Sequence, residues 1–344
     1  MKFRGTYTAI ITPFQNEGRS IDYGALRNLL DRQVAAGITG VVPCGTTGES
    51  PTLSHEEHRE LIRKTVEFCD GRTQVIAGTG SNSTQEAIEL TKAAVSDGVD
   101  AVMLVNPYYN KPSQEGLYRH FRTVAEAAGK PVVLYNIQGR TGVNLSVETL
   151  ERLLDGPDIL AVKEASGDAG QIAQVCRMAG ERLSVLSGDD NITPALMGLG
   201  GHGVISVASN IFPRRMVRMM DLYLKGDFAA ANQIFYGLLD FMGSMFWDTN
   251  PGPVKAAAEI QGFASGSVRL PLVELDEERK ERLSELLRAT GEDECRSHDR
   301  GRRAHGPDHY RAVHARRSGC PRGRAGTLGI PGTGQGRRRH GRGC

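Results

Sequence analysis

The chain has 344 residues, of which 39% are hydrophobic and 24% are charged, and its formal net charge is +2. This apolar fraction is enough for a sizeable core, which excludes a wholly disordered chain. Apolar runs stay well short of the ~18 residues that a membrane span needs, and residues 1–14 lack the long apolar stretch of a signal peptide. We therefore expect a cytoplasmic protein with no membrane partner.

The charges are unevenly distributed along the chain. Residues 291–344 hold 13 arginines against 5 acidic residues, whereas residues 1–290 hold 29 basic against 35 acidic residues. The body of the protein is therefore acidic, which argues against a nucleic-acid surface spread across the fold.

Short runs rich in β-branched and apolar residues alternate with segments of helical period from the start of the chain. Eight of these runs predict strands: Tyr7–Phe14, Ile38–Gly45, Gln74–Gly80, Asp100–Pro107, Pro131–Ile137, Ile159–Ser166, Leu183–Asp189 and Gly203–Ser209. Helices are predicted between them at Asp22–Ala36, Ser54–Cys69, Thr84–Asp97, Gln114–Ala128, Val147–Leu154, Gly170–Ala179 and Ile192–Leu199. Capping boxes are expected at Ser54 with Glu57 and at Ser83 with Glu86.

Strands that are apolar on both faces and alternate with helices are typical of parallel βαβ units. Eight such units in about 210 residues fit a (β/α)8 barrel, also called a TIM barrel. A doubly wound sheet shares the same alternation and is the alternative.

Further helical patterns follow the eighth strand, at Arg214–Leu224, Phe228–Trp247, Pro253–Gln261 and Asp276–Arg288. They exceed what an eighth barrel helix requires, so they predict a small C-terminal helical domain. We therefore divide the chain into a catalytic barrel domain at residues 1–224, a C-terminal helical domain at 225–290 and a tail at 291–344.

The tail contains 12 glycines and 13 arginines but no lysine. It has no apolar period and cannot offset its chain entropy, so we predict a disordered basic tail. The composition resembles GC-rich DNA read in the wrong frame, and we interpret the tail as a frameshift artefact. The alternative is an arm that neutralises phosphates, but Tyr310 is its only aromatic residue for base stacking. We expect no nucleic-acid partner.

Polar and glycine-rich segments stand where most of the predicted strands end. Gly45–Ser50 follows the second strand, Asn106–Asn110 the fourth, Gly139–Gly142 the fifth and Ser187–Asp190 the seventh. Because the active sites of (β/α)8 enzymes lie at these C-terminal ends, the pattern indicates a site there.

Lys163 stands in the apolar run of the sixth strand, where an ionised side chain is costly to bury. Burial lowers the pKa of an ammonium group and leaves a nucleophilic amine that can form a Schiff base with a carbonyl compound. The alternative is an ion pair with Glu164 or with an aspartate of a flanking strand.

Residues from about Phe3 to Thr290 resemble the dihydrodipicolinate synthase (4-hydroxy-tetrahydrodipicolinate synthase) family of class I, Schiff-base aldolases. The resemblance is carried by motifs in chain order: Ala9–Phe14, Gly45–Ser50, Pro107–Gly116, Tyr135–Gly142, Val162–Gly167, Ser187–Asp190 and Gly200–Val207. It implies the barrel fold and the condensation of pyruvate with L-aspartate 4-semialdehyde. That reaction is the first committed step of the diaminopimelate–lysine pathway.

The resemblance also implies catalytic roles for Lys163, Tyr135, Thr46 and Tyr109. Lys163 would form the imine, and the three hydroxyl residues match the family's proton relay, in which Tyr109 reaches into the neighbouring subunit's site. This implies a homotetramer built as a dimer of dimers.

The substrate-binding residues that the resemblance implies are Thr47 for the pyruvate carboxylate, Arg140 for the semialdehyde carboxylate, and Gly188 and Ile205 in the pyruvate pocket. A planar guanidinium suits bidentate binding of a carboxylate. No metal ion or organic cofactor is expected.

Lysine-sensitive members of the family bind L-lysine as an inhibitor near the mouth of the active site. The matching allosteric positions here are Ser50, Pro51, His55, His58, Asn82, Glu86 and Tyr108. We expect inhibition by L-lysine, with its ammonium groups at Glu86 and His58 and its carboxylate at Asn82 and Tyr108. Ordinary polar residues on helix faces are the alternative interpretation of this set.

Two features depart from the family pattern. Gln138 stands where the family commonly has proline, which could loosen the loop that presents Arg140, and the tail extends beyond the usual end. Other Schiff-base lyases, such as N-acetylneuraminate lyase, would share Lys163 and Tyr135 and remain the alternative activity.

Overall fold

A computed structural model describes residues 2–291 and 293 of the chain. Eight parallel strands form its centre: β1 (Gly5–Ala9), β2 (Gly40–Val42), β3 (Gln74–Gly78), β4 (Ala101–Val105), β5 (Val132–Asn136), β6 (Ile159–Glu164), β7 (Ser184–Ser187) and β8 (Gly203–Ser206). Each strand pairs with its neighbours in chain order, and β8 pairs with β1 to close the ring. The predicted (β/α)8 barrel is confirmed, and the doubly wound alternative was wrong.

All eight predicted strands are present, and each ends earlier than predicted, β1 by the most. β1 ends at Ala9 rather than Phe14, and β2 ends at Val42 rather than Gly45. Pro43 lacks the N–H that a ladder needs, and Cys44 has a φ of 56°, which turns the chain out of the sheet. The shorter strands leave longer loops at the C-terminal end of the barrel.

Helices surround the barrel and connect its strands. They are α1 (Tyr23–Ala35), α2 (His55–Cys69), α3 (Thr84–Ser96), α4 (Gln114–Ala128), α5 (Val147–Leu153), α6 (Ala169–Ala179), α7 (Thr193–Gly198) and α8 (Pro213–Leu224). Short 3-10 helices lie at Ser50–Thr52, Asp190–Ile192 and Ala208–Asn210, and a small antiparallel pair joins Phe14–Gln15 to Ser20–Ile21.

The two predicted capping boxes have different outcomes. At α2 the box is complete, because Ser54 accepts from the backbone of Glu57 and the Glu57 carboxylate accepts from the backbone of Ser54. At α3 only the first half forms: Ser83 accepts from the backbone of Glu86. The Glu86 carboxylate is turned instead toward Ser81 and His55.

Three more helices follow the barrel: α9 (Phe228–Ser244), α10 (Gly252–Ile260) and α11 (Glu277–Thr290). α9 packs against α8, and α11 packs against both α9 and α10. All described residues belong to one compact unit. The division between residues 224 and 225 stays a prediction, and the tail predicted to be disordered lies outside the described residues, apart from Gly291 and Asp293.

Two apolar cores hold the fold together. One fills the barrel with inward-facing side chains such as Tyr7, Val133 and Leu186, and the larger one lies between the strands and the helices. None of the described helices is long and apolar enough to cross a membrane.

Candidate active site

Lys163 lies near the C-terminal end of β6 and is only 6% exposed. In the register of the barrel it stands between Tyr135 of β5 and Leu186 of β7, two residues of the interior core. Its Nζ atom is 4.0 Å from the centre of the Tyr135 ring. The alternation of strand side chains therefore brings this amine to the inner face of the barrel.

Burial lowers the pKa of Lys163 to about 7, and the negative charge of Asp190 only partly opposes the shift. Within the described chain, the buried lysine that does form an ion pair is Lys255, with Glu49, and Lys163 forms none. Glu164 accepts instead from the Ser166 backbone at 2.7 Å and from the Asn136 side chain. The alternative interpretation of Lys163 as half of an ion pair was therefore wrong.

The end of β7 shapes the surroundings of Lys163. A Cβ atom on Gly188 would stand 3.0 Å from Cε of Lys163, so glycine leaves the room that the lysine side chain occupies. Ile205, on the neighbouring strand β8, is buried in the interior core. Asp190 is also buried, and its Oδ2 atom accepts from the backbone N–H groups of Val207 and Ala208 at 3.0 and 2.8 Å.

Two of the three predicted relay residues lie together. The Tyr135 hydroxyl forms a hydrogen bond with the Thr46 side chain, and burial raises the pKa of Tyr135 to about 12. Tyr109 does not join them in the single chain, because it is 88% exposed on the loop after β4 and has a φ of 71°. Of the three predicted relay residues, one chain therefore brings together Thr46 and Tyr135.

The loop at residues 45–49 is held from two sides. Gly78 of β3 permits a close approach, since a Cβ atom there would lie 2.3 Å from the carbonyl oxygen of Cys44. Thr47 is buried, and its hydroxyl accepts from Nδ2 of Asn250 at 2.9 Å. Glu49 has a φ of 55° and forms a fully buried ion pair with Lys255 at 2.6 Å.

Asn250 and Lys255 were not predicted from the sequence. Lys255 stands in the apolar run Val254–Ala258, and a lysine in such a run is the same signal that singled out Lys163. That signal identifies the residue but not its partner, because Glu49 is 206 positions away in the chain.

Arg140 lies on a helical turn, Gln138–Thr141, that Gly142 ends with a φ of 75°. Its guanidinium group has no carboxylate partner among the described residues and faces the same cavity as Tyr135. Asn106 Nδ2 donates to the carbonyl oxygen of Val143 at 3.0 Å and also to the side chain of Asn136. These buried amides hold the loop even though Gln138 replaces the family's proline.

A cavity of about 370 Å³ opens at this end of the barrel. Thr46, Tyr135 and Arg140 contribute to its lining, whereas Lys163 lies next to Tyr135, outside the lining. Six of the seven predicted lysine-binding residues line the same cavity: Ser50, Pro51, His55, His58, Glu86 and Tyr108. The seventh, Asn82, donates to the carbonyl oxygen of Tyr108 at 3.2 Å.

In the part of the cavity that the predicted lysine-binding residues line, the negative charge comes from Glu86. Its carboxylate pairs with His55 Nε2 at 2.8 Å, and a hydrogen bond from Ser81 holds its pKa below the ordinary value. His58 is buried, which lowers its pKa to about 4, so its ring is neutral at pH 7. Because Nε2 of His58 bonds to the carbonyl oxygen of Gly78, Nδ1 is left as a buried acceptor without a partner.

The structure is a closed (β/α)8 barrel, and its C-terminal end holds an unpaired, buried lysine and a hydrogen-bonded tyrosine–threonine pair. These features define a barrel enzyme. The sequence profile of the dihydrodipicolinate synthetase family matches residues 2–290. The chain therefore belongs to this family, and the resemblance found in the sequence is confirmed.

Individual relatives agree with this assignment. The chain is 55% identical over 275 residues to the 4-hydroxy-tetrahydrodipicolinate synthase of Leptospira biflexa, which covers 80% of this chain and 93% of that protein. A chloride-inhibited dihydrodipicolinate synthase from Acinetobacter baumannii, complexed with pyruvate, superposes with a TM-score of 0.81 at 41% identity, covering 83% of this chain and 98% of its own. The enzyme from Cyanidioschyzon merolae with lysine bound gives 0.81 at 40% identity, covering 84% and 98%.

These relatives are lyase-type enzymes of lysine and diaminopimelate biosynthesis, and so is this chain. The comparisons support 4-hydroxy-tetrahydrodipicolinate synthase activity at the level of the enzyme class.

Proposed function

We propose that the protein condenses pyruvate with L-aspartate 4-semialdehyde through a Schiff base on Lys163. The observation that carries the proposal is this buried amine, whose pKa is lowered to about 7 and which has no ion-pair partner in the described chain. Such an amine is neutral in a large fraction of molecules at pH 7 and is therefore nucleophilic. The pyruvate complex of the Acinetobacter baumannii relative supports pyruvate as the first substrate.

In the proposed reaction the Lys163 nitrogen bonds to the ketone carbon of pyruvate, and the ketone oxygen leaves as water after taking up two protons. The imine nitrogen takes up a proton, and the methyl group then loses one, which gives an enamine. The enamine carbon forms a bond to the aldehyde carbon of the semialdehyde, whose oxygen takes up a proton, and Lys163 is left as an imine of the product. The amine of the semialdehyde then bonds to the imine carbon and closes a ring, while the Lys163 nitrogen takes up a proton and leaves as the free amine. Tyr135 and Thr46 carry these protons, because each hydroxyl can donate and accept.

Two groups bind the substrate carboxylates in this proposal. The hydroxyl and backbone of Thr47 hold the carboxylate of pyruvate, and Arg140 holds that of the semialdehyde. The lack of a carboxylate partner for Arg140 among the described residues supports this role, since its donors are free to form a bidentate pair with a ligand.

Two experiments test the reaction. A coupled assay should show turnover of pyruvate with L-aspartate 4-semialdehyde and none of N-acetylneuraminate. Borohydride reduction in the presence of pyruvate should add one pyruvate-derived mass to the peptide that contains Lys163, and Lys163→Ala should abolish the adduct. An adduct that persists in Lys163→Ala, or turnover of N-acetylneuraminate alone, would refute the proposal.

We further propose that L-lysine inhibits the enzyme by binding in the part of the cavity that the predicted lysine-binding residues line. The Glu86 carboxylate supplies a negative charge for an ammonium group, and the free Nδ1 of His58 supplies an acceptor. The lysine complex of the Cyanidioschyzon merolae relative supports this ligand. Because both residue sets line one cavity, a ligand bound at Glu86 changes the surroundings of Tyr135, with a coupling typically of ~1–3 kcal/mol.

The test of inhibition uses Glu86→Ala. Initial rates of the wild-type enzyme should fall with millimolar L-lysine, whereas those of Glu86→Ala should not, at similar uninhibited activity. Glu89→Ala is the matched control, because Glu89 is an exposed carboxylate of the same helix whose one side-chain partner among the described residues is Gln85. Calorimetry that detects no L-lysine binding to the wild-type enzyme would disprove this regulation.

A homotetramer, built as a dimer of dimers, is the assembly that we propose. The observation that supports it is the exposure of Tyr109 on a left-handed backbone, a conformation that costs energy for a bulky residue. A second chain that receives this ring would complete its own relay with it. Analytical ultracentrifugation should find four chains in the active species, and a fully active monomer would contradict the proposal.

A further inference from the structure

The loop that carries Thr46 and Thr47 touches a segment of the chain about 200 residues further on. This anchor segment, residues 250–255, includes the start of α10 and contributes two side chains, Asn250 and Lys255. Their side chains contact those of Thr47 and Glu49. The loop is therefore the route by which these contacts can influence the reaction.

Asn250 determines what the Thr47 hydroxyl can do. Nδ2 of Asn250 donates to the Thr47 oxygen at 2.9 Å, and both side chains are buried. A hydroxyl that accepts this hydrogen bond keeps its own hydrogen for another partner. A carboxylate only accepts hydrogen bonds, so the contact prepares Thr47 to bind one.

Lys255 determines where the end of the loop lies. Its Nζ atom pairs with Glu49 Oε1 at 2.6 Å, and both side chains are fully buried. The other oxygen, Oε2, accepts from the backbone of Arg269 at 3.0 Å. Both carboxylate oxygens are therefore bound by the C-terminal part of the chain, which fixes a residue that also has a left-handed backbone.

We propose that Asn250 and Lys255 are positioning residues of the subsite for the pyruvate carboxylate, acting through Thr47 and Glu49. The inference rests on the proposed function, and it adds a part of the chain outside the barrel to the binding of the first substrate. It makes the anchor segment a determinant of pyruvate affinity and leaves the chemistry to Lys163 and its relay.

The test is Asn250→Asp in the full-length chain, with pyruvate and semialdehyde varied separately. An aspartate accepts a hydrogen bond where asparagine donates one. It therefore accepts the hydrogen bond of the Thr47 hydroxyl, and its charge repels the substrate carboxylate. The KM for pyruvate should rise about tenfold, while kcat and the KM for the semialdehyde change less than about twofold. Asn250→Ala adds no charge and should raise the KM for pyruvate about threefold, which keeps the test open if the aspartate variant folds poorly.

Controls separate positioning from a general structural effect. Asn232→Asp makes the same chemical change in α9, where the Oδ1 acceptor for Tyr223 is retained, and should leave all constants unchanged. Thr47→Val combined with Asn250→Ala should be no worse than Thr47→Val alone, because the uncharged variant acts only through the Thr47 hydroxyl.

The outcomes distinguish this inference from the proposed function. A wild-type enzyme that traps pyruvate on Lys163, together with an unchanged pyruvate KM in both Asn250 variants, would refute the positioning role alone. Additive effects of Thr47→Val and Asn250→Ala would refute it as well. A wild-type enzyme that traps no pyruvate would refute the proposed function first.

Discussion

At the scale of single residues, the pKa of Lys163 sets the pH dependence of imine formation. Burial lowers this pKa to about 7, so the fraction of neutral amine should rise steeply below that pH and level off above it. The initial rate of borohydride trapping, measured from about pH 5.5 to 9, should therefore reach a plateau near pH 8. A rate that still increases about tenfold per pH unit above pH 8 would indicate an ordinary lysine with a pKa near 10.4.

Arg140 gives a second prediction at this scale. Arg140→Ala should lower kcat/KM for the semialdehyde about 100-fold, because a carboxylate loses a bidentate, charged partner. Trapping of pyruvate on Lys163 should stay within about twofold of wild type, since that step precedes semialdehyde binding. Equal losses in both measurements would assign Arg140 to the shared proton transfers instead.

Single residues also show what the sequence could predict and what it could not. Lys163 was identifiable because a charge in an apolar strand is an exception to a local pattern. The acceptor role of Thr47 was not identifiable from the sequence, because it depends on Asn250, which is 203 positions away. The same limit applies to Glu86, where the predicted capping box competes with bonds to Ser81 and His55.

At the scale of elements, the buried pair of Glu49 and Lys255 joins α10 to the loop after β2. Lys255→Met should cost about 3–5 kcal/mol of stability, because it leaves a buried carboxylate without its partner. Adding Glu49→Gln should recover most of this loss. Glutamine and methionine have nearly the shapes of the glutamate and lysine side chains that they replace, and neither buries a charge. Melting temperatures at equal protein concentration measure both effects, with Lys92→Met as the surface control, because Lys92 is an exposed residue of α3 that forms no ion pair among the described residues.

A double variant that melts as low as Lys255→Met would show that packing, not charge, joins these elements.

The periods of strands and helices were readable along the chain because they repeat locally. The early ends of β1 and β2 were not, since they reflect how the loops pack above the barrel.

At the scale of the whole molecule, residues 291–344 are predicted to be dispensable for catalysis. Within this segment, Asp293 contacts the body of the protein. Its carboxylate accepts from the backbone N–H groups of Arg214 and Arg215 at 3.1 and 3.0 Å, at the start of α8. A chain that ends at Thr290 should keep its kcat but lose about 1 kcal/mol of stability relative to one that ends at Cys295.

Activity assays and thermal melts of the two truncated chains, beside the full-length protein, test this prediction. A large loss of activity in both truncated chains would show that the tail is a functional part of the enzyme. The intact mass of the protein from its native source would show whether the frameshift interpretation of the tail is correct.

The proposed role of Tyr109 in the neighbouring subunit predicts that two defective chains can repair each other. A Lys163→Ala chain still presents an intact Tyr109, and a Tyr109→Phe chain still holds an intact Lys163. If the ring serves the adjacent subunit, unfolding the two variants together and refolding them should give mixed assemblies in which some sites are complete. Specific activity should then exceed the average of the separate variants, whereas a ring that serves its own chain would give only that average.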